Sequence, residues 1–130
     1  MENFYIEKKI YYHDTDCGGV VYYANYLKYL EEARTEYFLS KGISLKELAH
    51  QGLWFVVRHL EIDYKSPARY QDTLRVLTRI EKIKVASIQF FQKIIRNNST
   101  IVEAKTILVC VDREFKPSSL PKKIKGSLIT

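Results

Sequence analysis

Hydrophobic and polar positions change period several times along this chain, and each change marks an element. Phe4, Ile6, Ile10 and Tyr12 share one face, with Glu7 and Lys9 opposite, which predicts a half-buried strand over 4–12. From Asn25 to Lys41 the period lengthens to that of a helix. Leu27, Leu30, Ala33, Tyr37 and Phe38 form its apolar stripe, while Lys28, Glu31, Glu32, Arg34 and Glu36 fall mainly outside it. Gly42 suits the position just past a helix end. Ser44 and Glu47 have the spacing of a capping box, which would open a two-turn connector helix before Gly52.

Beyond Gly52 the strand period takes over. Leu60, Ile62 and Tyr64 alternate with His59, Glu61 and Asp63 until Ser66-Pro67-Ala68 stops the run. Thr73 to Ile83 alternates again, Ala86 to Ile95 is rich in β-formers, Asn97-Asn98-Ser99 marks a tight reversal, and Ile101 to Val111 is the last long strand. Its near-continuous apolar half from Ile107 suggests burial on both faces or a contact between subunits. Pro117, Pro121 and the late lysines predict a loosely ordered tail over 116–130. The order strand, long helix, short helix, four strands lacks the strand-helix alternation of a parallel sheet. The fold class is therefore α+β, one long helix on a mostly antiparallel sheet of about five strands. Its uncovered edges and face call for a second copy of the chain.

Composition narrows the class further. With 130 residues, 46% hydrophobic and 28% charged, the chain is expected to form a single domain over 1–130. No apolar run is long enough to span a bilayer, and Met1-Glu2-Asn3-Phe4 lacks the basic-then-apolar order of a signal peptide, so a cytoplasmic protein is expected. Cys17 and Cys110 have neither CxxC nor His-rich spacing, so neither a zinc site nor a disulfide framework is suggested, and Cys110 reads as core. The net charge of +6 favours an anionic partner, but it is spread along the chain. No segment has the aromatic strands of an RRM or a GXXG loop, and nucleic acid is not expected.

Chemistry concentrates between the first strand and the long helix, in His13-Asp14-Thr15-Asp16-Cys17-Gly18-Gly19-Val20-Val21-Tyr22-Tyr23-Ala24-Asn25-Tyr26-Leu27. Acidic side chains stand at a strand end, two glycines let backbone approach a ligand closely, and Asn25 is a good helix cap. A carboxylate and a helix N-terminus therefore face one space. On residue chemistry alone Asp16 is either a reactive carboxylate or an Asx residue stabilising the turn before glycine. Asp14, two residues before Asp16, reads as its partner in a two-carboxylate metal or acid–base pair or as a structural residue, and His13 as a general base or a strand-end residue. Tyr22, Tyr23, Tyr26 and Tyr29 either line an acyl or aromatic pocket or fill the core.

The run from Asp14 to Leu27, followed by Glu32-Ala33-Arg34, resembles the opening motif of the 4-hydroxybenzoyl-CoA thioesterase-like hotdog-fold enzymes, and within them the YbgC-like acyl-CoA thioesterases. Phe55-Val56-Val57-Arg58, Asp63-Tyr64-Lys65-Ser66-Pro67-Ala68, Asp72 and Leu74 are similar to that family's second strand, proline turn and third strand. The resemblance implies a hotdog fold, a curved antiparallel sheet wrapped around the long helix. It also implies a homodimer or homotetramer with active sites at the subunit interface, hydrolysing acyl-CoA to free acid and coenzyme A without cofactor or metal.

Asp16 matches the family's catalytic carboxylate, acting as nucleophile or general base. Tyr23 falls where a backbone N–H holds the thioester oxygen, with Gly19 and Asn25 beside it on the substrate side. The YbgC-like group commonly carries His where this chain has Tyr23, a change that keeps the backbone donor. Lys82, Lys84 and Ser87 lie near the strand ends where the family docks the coenzyme A phosphates; a solvated turn is the competing reading. Glu31 and Glu32 lie where another hotdog branch keeps a catalytic glutamate, and with Asp16 present they read as helix-surface charges. A non-catalytic acyl-CoA-binding hotdog module is the rival to the enzyme, and the retention of Asp16 favours the enzyme.

Overall fold

The computed structural model describes residues 4–129, so the Met1-Glu2-Asn3 start lies outside the described residues. Alternating apolar and polar positions build five strands, β1 (Tyr5–Lys9), β2 (Trp54–Tyr64), β3 (Thr73–Ile83), β4 (Ser87–Arg96) and β5 (Ser99–Val111). They form one antiparallel sheet of order β1-β3-β4-β5-β2. Helix α1 (Asn25–Ser40) packs on it, α2 (Leu45–His50) connects α1 to β2, and α3 (Lys122–Ile129) closes the described chain. The β4-β5 reversal uses Asn97 and Asn98 at φ 48° and 69°, the left-handed pair that a tight hairpin favours. Among the described residues no helix is long and apolar enough to cross a membrane.

Two apolar clusters fill the space between α1 and the sheet. Tyr29, Leu30 and Ala33 meet Ile10, Leu74, Val76 and Val102 in one. Phe38 meets Ile88, Phe90 and Leu108 in the other. The buried face of α1 carries Tyr26, Tyr29, Leu30, Ala33, Arg34, Tyr37 and Phe38, whereas Leu27 is exposed. Arg34 therefore belongs to the buried stripe and not to the polar side where its charge placed it. It stands four residues from both Leu30 and Phe38, and Gln92 makes that position tolerable. Arg34 Nη1 donates to Gln92 Oε1 at 3.1 Å, while Gln92 Nε2 donates to Leu30 O and Thr78 Oγ1, each at 3.0 Å. Burial holds the Arg34 pKa below its ordinary value, partly offset by Glu31.

The first strand is shorter than its alternation predicts. A 3-10 turn over Tyr12–Asp14 interrupts it, locked by the Tyr11 N–H on Asp14 Oδ2 at 2.8 Å, and Tyr12 is left exposed. The tail is the larger correction. Residues 122–129 form α3, and Leu120, Ile124 and Leu128 are buried in the second cluster. Lysine-rich composition hides this i, i+4 apolar pair, and Pro121 suits the start of the helix. In β5, Leu108 and Cys110 are buried while Ile107 and Val109 on the opposite face are half-buried.

Candidate active site

Asp16 sits at the head of a tight hairpin. Thr15 bridges to Val21, the Asp16 N–H donates to Val20 O at 2.9 Å, and the Gly19 N–H donates to Asp16 O at 3.1 Å. Gly19 takes φ +82°, the left-handed conformation that closes such a loop. Gly18 answers a different need, because a Cβ there would stand 3.2 Å from Asp16 Oδ1. That oxygen accepts the Gly18 N–H at 2.8 Å, an Asx turn. Among the described residues nothing donates to Asp16 Oδ2, and the side chain is exposed. The turn role and a free carboxylate oxygen thus coexist in one residue.

The helix start faces the same hairpin. Ala24 is the residue before α1, and among the described residues no side chain caps the helix. Asn25, expected as the cap, is the first helical residue; its Nδ2 donates to Asp14 O at 2.9 Å. The Asn25 N–H donates to Tyr22 O at 2.8 Å, whereas among the described residues nothing accepts the N–H of Tyr23 or of Ala24. Two backbone donors are therefore unspent where the helix dipole is positive.

Asp14 is the anchor of this assembly. It is buried, its carboxylate accepts the Tyr11 N–H, and its carbonyl accepts both the Tyr22 N–H at 3.0 Å and the Asn25 amide. Burial pushes its pKa up, but the Tyr11 N–H, the Tyr29 hydroxyl and the charges of Lys8 and His13 outweigh that and hold it below the ordinary carboxylate value. Asp14 is thereby a charged structural tie, while His13 is exposed beside it.

Asp16 and Tyr23 line one depression of about 320 Å³ with Val20, Val21 and Tyr26, and its far wall is Tyr64 with Lys65, Ser66 and Pro67. The four tyrosines of the motif divide. Tyr23 and Tyr26 line the pocket, Tyr29 is in the core, and Tyr22 is exposed with its ring 5.0 Å from that of Tyr23. Residue patterns alone do not point to the wall from Tyr64 to Pro67. The Asp63-to-Ala68 run that contains it reads as a strand end and turn. The Tyr64 hydroxyl donates to Tyr23 O at 3.3 Å, tying β2 to the helix start. Lys82, Lys84 and Ser87 do come together, lining a small crevice with Arg58, Gln89 and Ile107. Arg58 joins them from a bulge in β2 between Val57 and His59. Within one chain this crevice shares no lining residue with the Asp16 pocket.

A five-stranded antiparallel sheet on one long helix, with a carboxylate hairpin leading into that helix, defines a hotdog protein of the thioesterase type. The chain belongs to the thioesterase-like superfamily, whose family model matches residues 11–128. It is similar to the acyl-CoA thioester hydrolase YbgC of Escherichia coli, with 41% identity over 118 residues that cover 89% of this chain and 88% of that protein. It is also similar to a solved probable thioesterase from Bartonella henselae, at 35% identity and a TM-score of 0.87, covering 91% of this chain and 98% of that one. A third likeness is to a 1,4-dihydroxy-2-naphthoyl-CoA thioesterase from Synechocystis, at 27% identity and a TM-score of 0.88, covering 97% and 95%.

Proposed function

We propose that this chain hydrolyses acyl-CoA thioesters to free acid and coenzyme A, with Asp16 as the reactive carboxylate and the Tyr23 and Ala24 N–H groups as donors to the thioester oxygen. The observation that carries the reading is that Asp16, with an uncommitted carboxylate oxygen, and Tyr23, whose backbone N–H is uncommitted beside that of Ala24 at the helix start, line one pocket. Asp16 Oδ2 either attacks the carbonyl carbon or takes a proton from the attacking water. Each preorganised donor is worth about 3–4 kcal/mol of barrier as the oxygen becomes negative. The Asp16–Gly18 bond fixes the carboxylate without consuming the second oxygen.

The working unit in this reading is a homodimer or homotetramer. Edge strand β2 exposes Trp54, Val56 and Val57 along an unpaired side, a surface suited to a second copy. Arg58, Lys82 and Lys84, with Ser87, supply cations and a hydroxyl for the phosphates of coenzyme A, and they serve the pocket of the neighbouring copy.

Thiol release from a panel of short, long and aromatic acyl-CoAs tests the activity. Asp16→Asn keeps an oxygen to accept the Gly18 N–H, so it is expected to fold normally while turnover falls by about 10²- to 10⁴-fold. Near-normal turnover in that variant removes Asp16 from the chemistry. Binding of acyl-CoA without any thiol release by the wild type converts the reading to a non-catalytic binding module.

A further inference from the structure

One pocket residue carries a hydrogen-bond donor that the hydrolysis scheme leaves unused. Tyr26 lines the Asp16 pocket and is 3% exposed. Its hydroxyl oxygen accepts the Ala68 N–H at 3.0 Å, next to Pro67 of the pocket wall. The hydroxyl proton is not engaged by that bond, and among the described residues nothing accepts it. The neighbouring Tyr64 hydroxyl differs, because its proton is spent on Tyr23 O. Burial pushes the Tyr26 pKa up, moderated by the Ala68 N–H and by Arg96, so the phenol keeps its proton through the neutral range. Buried donors in folded proteins are nearly always paired, and this one belongs to a residue that lines the pocket, bonded beside Pro67 of its wall.

We propose that Tyr26 donates a hydrogen bond to an oxygen held in the Asp16 pocket during turnover, either that of the attacking water or one carried by the acyl group itself. The inference rests on the thioesterase reading above. The two sources present the same acceptor chemistry and separate in the assay. A donor for an acyl oxygen makes Tyr26 a specificity residue favouring hydroxylated acyl groups. A donor for water makes it part of the hydrolytic step on every substrate.

Tyr26→Phe removes only the hydroxyl, but it also takes the acceptor from the Ala68 N–H. A companion variant must therefore loosen the same wall from behind. Arg96 does this: its Nη1 donates to Pro67 O and pairs with Asp72 at 3.4 Å, outside the pocket. Both variants are assayed by thiol release on size-matched pairs, butyryl-CoA with 3-hydroxybutyryl-CoA and benzoyl-CoA with 4-hydroxybenzoyl-CoA. Loss of a neutral hydrogen bond predicts a drop of about 3- to 10-fold. A drop in kcat/KM confined to the hydroxylated member supports the acyl source. An equal drop in kcat on both members with KM unchanged, not reproduced by Arg96→Ala, supports the water source.

Unchanged kinetics in Tyr26→Phe, or a uniform loss that Arg96→Ala reproduces, overturns the proposal and leaves Tyr26 as a support for the wall. Should Tyr26→Phe not fold, 3-fluorotyrosine introduced at position 26 keeps the ring and the acceptor while changing the donor. Shifted kinetics on the same pairs then support the proposal, and unchanged kinetics overturn it. A wild type inactive on all four substrates overturns the thioesterase reading and this inference with it.

Discussion

Gly18 and Gly19 are predicted to fail in different ways when each gains a methyl group. At Gly19 an added Cβ meets nothing within 4 Å among the described residues, so the whole cost is the φ of +82°. Left-handed backbone costs an alanine about 1–2 kcal/mol, which in a domain of this size lowers the melting temperature by roughly 3–8 °C. Gly18 has no such φ, but its Cβ would lie 3.2 Å from Asp16 Oδ1 and the contact must open by a few tenths of an ångström. The exposed carboxylate is the part free to move, and moving it stretches the 2.8 Å bond from the Gly18 N–H. A displacement of 1 Å at a reacting group costs on the order of 100-fold, so a fraction of that predicts a loss of about 5- to 10-fold in kcat. Gly18→Ala should therefore melt within about 2 °C of wild type. Thermal melts by circular dichroism and steady-state thiol release measure the two effects on the same preparations. Full activity in Gly18→Ala beside an inactive Asp16→Asn refutes the idea that the hairpin sets the carboxylate position. An undiminished melting temperature in Gly19→Ala refutes the backbone argument.

Gln92→Leu strands the buried Arg34 guanidinium without its acceptor and should cost about 2–4 kcal/mol, read as a lower urea midpoint at constant slope. A cost below about 0.5 kcal/mol would show that Arg34 does not depend on Gln92. Acid stability follows from Asp14, whose pKa is lower folded than unfolded. As pH falls, the unfolded chain takes up that proton first. The Asp14 contribution is therefore complete above about pH 4 and is lost as pH falls further. Urea midpoints from pH 6 to 2.5 should show wild type and Asp14→Asn converging below pH 4, and a constant gap would refute the linkage.

Residue patterns read this protein well wherever an element is specified by its own neighbours. Gly42 at φ +78° ends α1 as predicted, Ser44 Oγ accepts the Glu47 N–H at 3.2 Å to start α2, and the alternation from Thr73 to Ile83 matches β3 end to end. The hairpin half of the candidate site is local for the same reason, since Asp16, the glycines and the helix start lie within a dozen residues and bond mostly among themselves. The wall is not. Tyr64 to Pro67 reaches Asp16 only because β2 pairs with β5 at the sheet edge and the chain then crosses to Val20 and Val21 through Arg69 and Ala68.

Arg34 and Asn25 show the deeper limit. A composition rule puts an arginine outside the stripe and an asparagine at the cap, because it weighs each side chain against water. The fold weighs it against a particular partner. Gln92, 58 residues away, makes the core acceptable to Arg34, and the Asp14 carbonyl, 11 residues back, outbids the helix N-terminus for the Asn25 amide. Such partners have no spacing signature, so polar residues whose burial depends on one distant acceptor are those that a pattern misplaces. Tyr26 belongs with them: its aromatic ring leaves core and pocket equally open, and only the fold bonds its hydroxyl across 42 residues to Ala68 and sets the residue in the pocket lining.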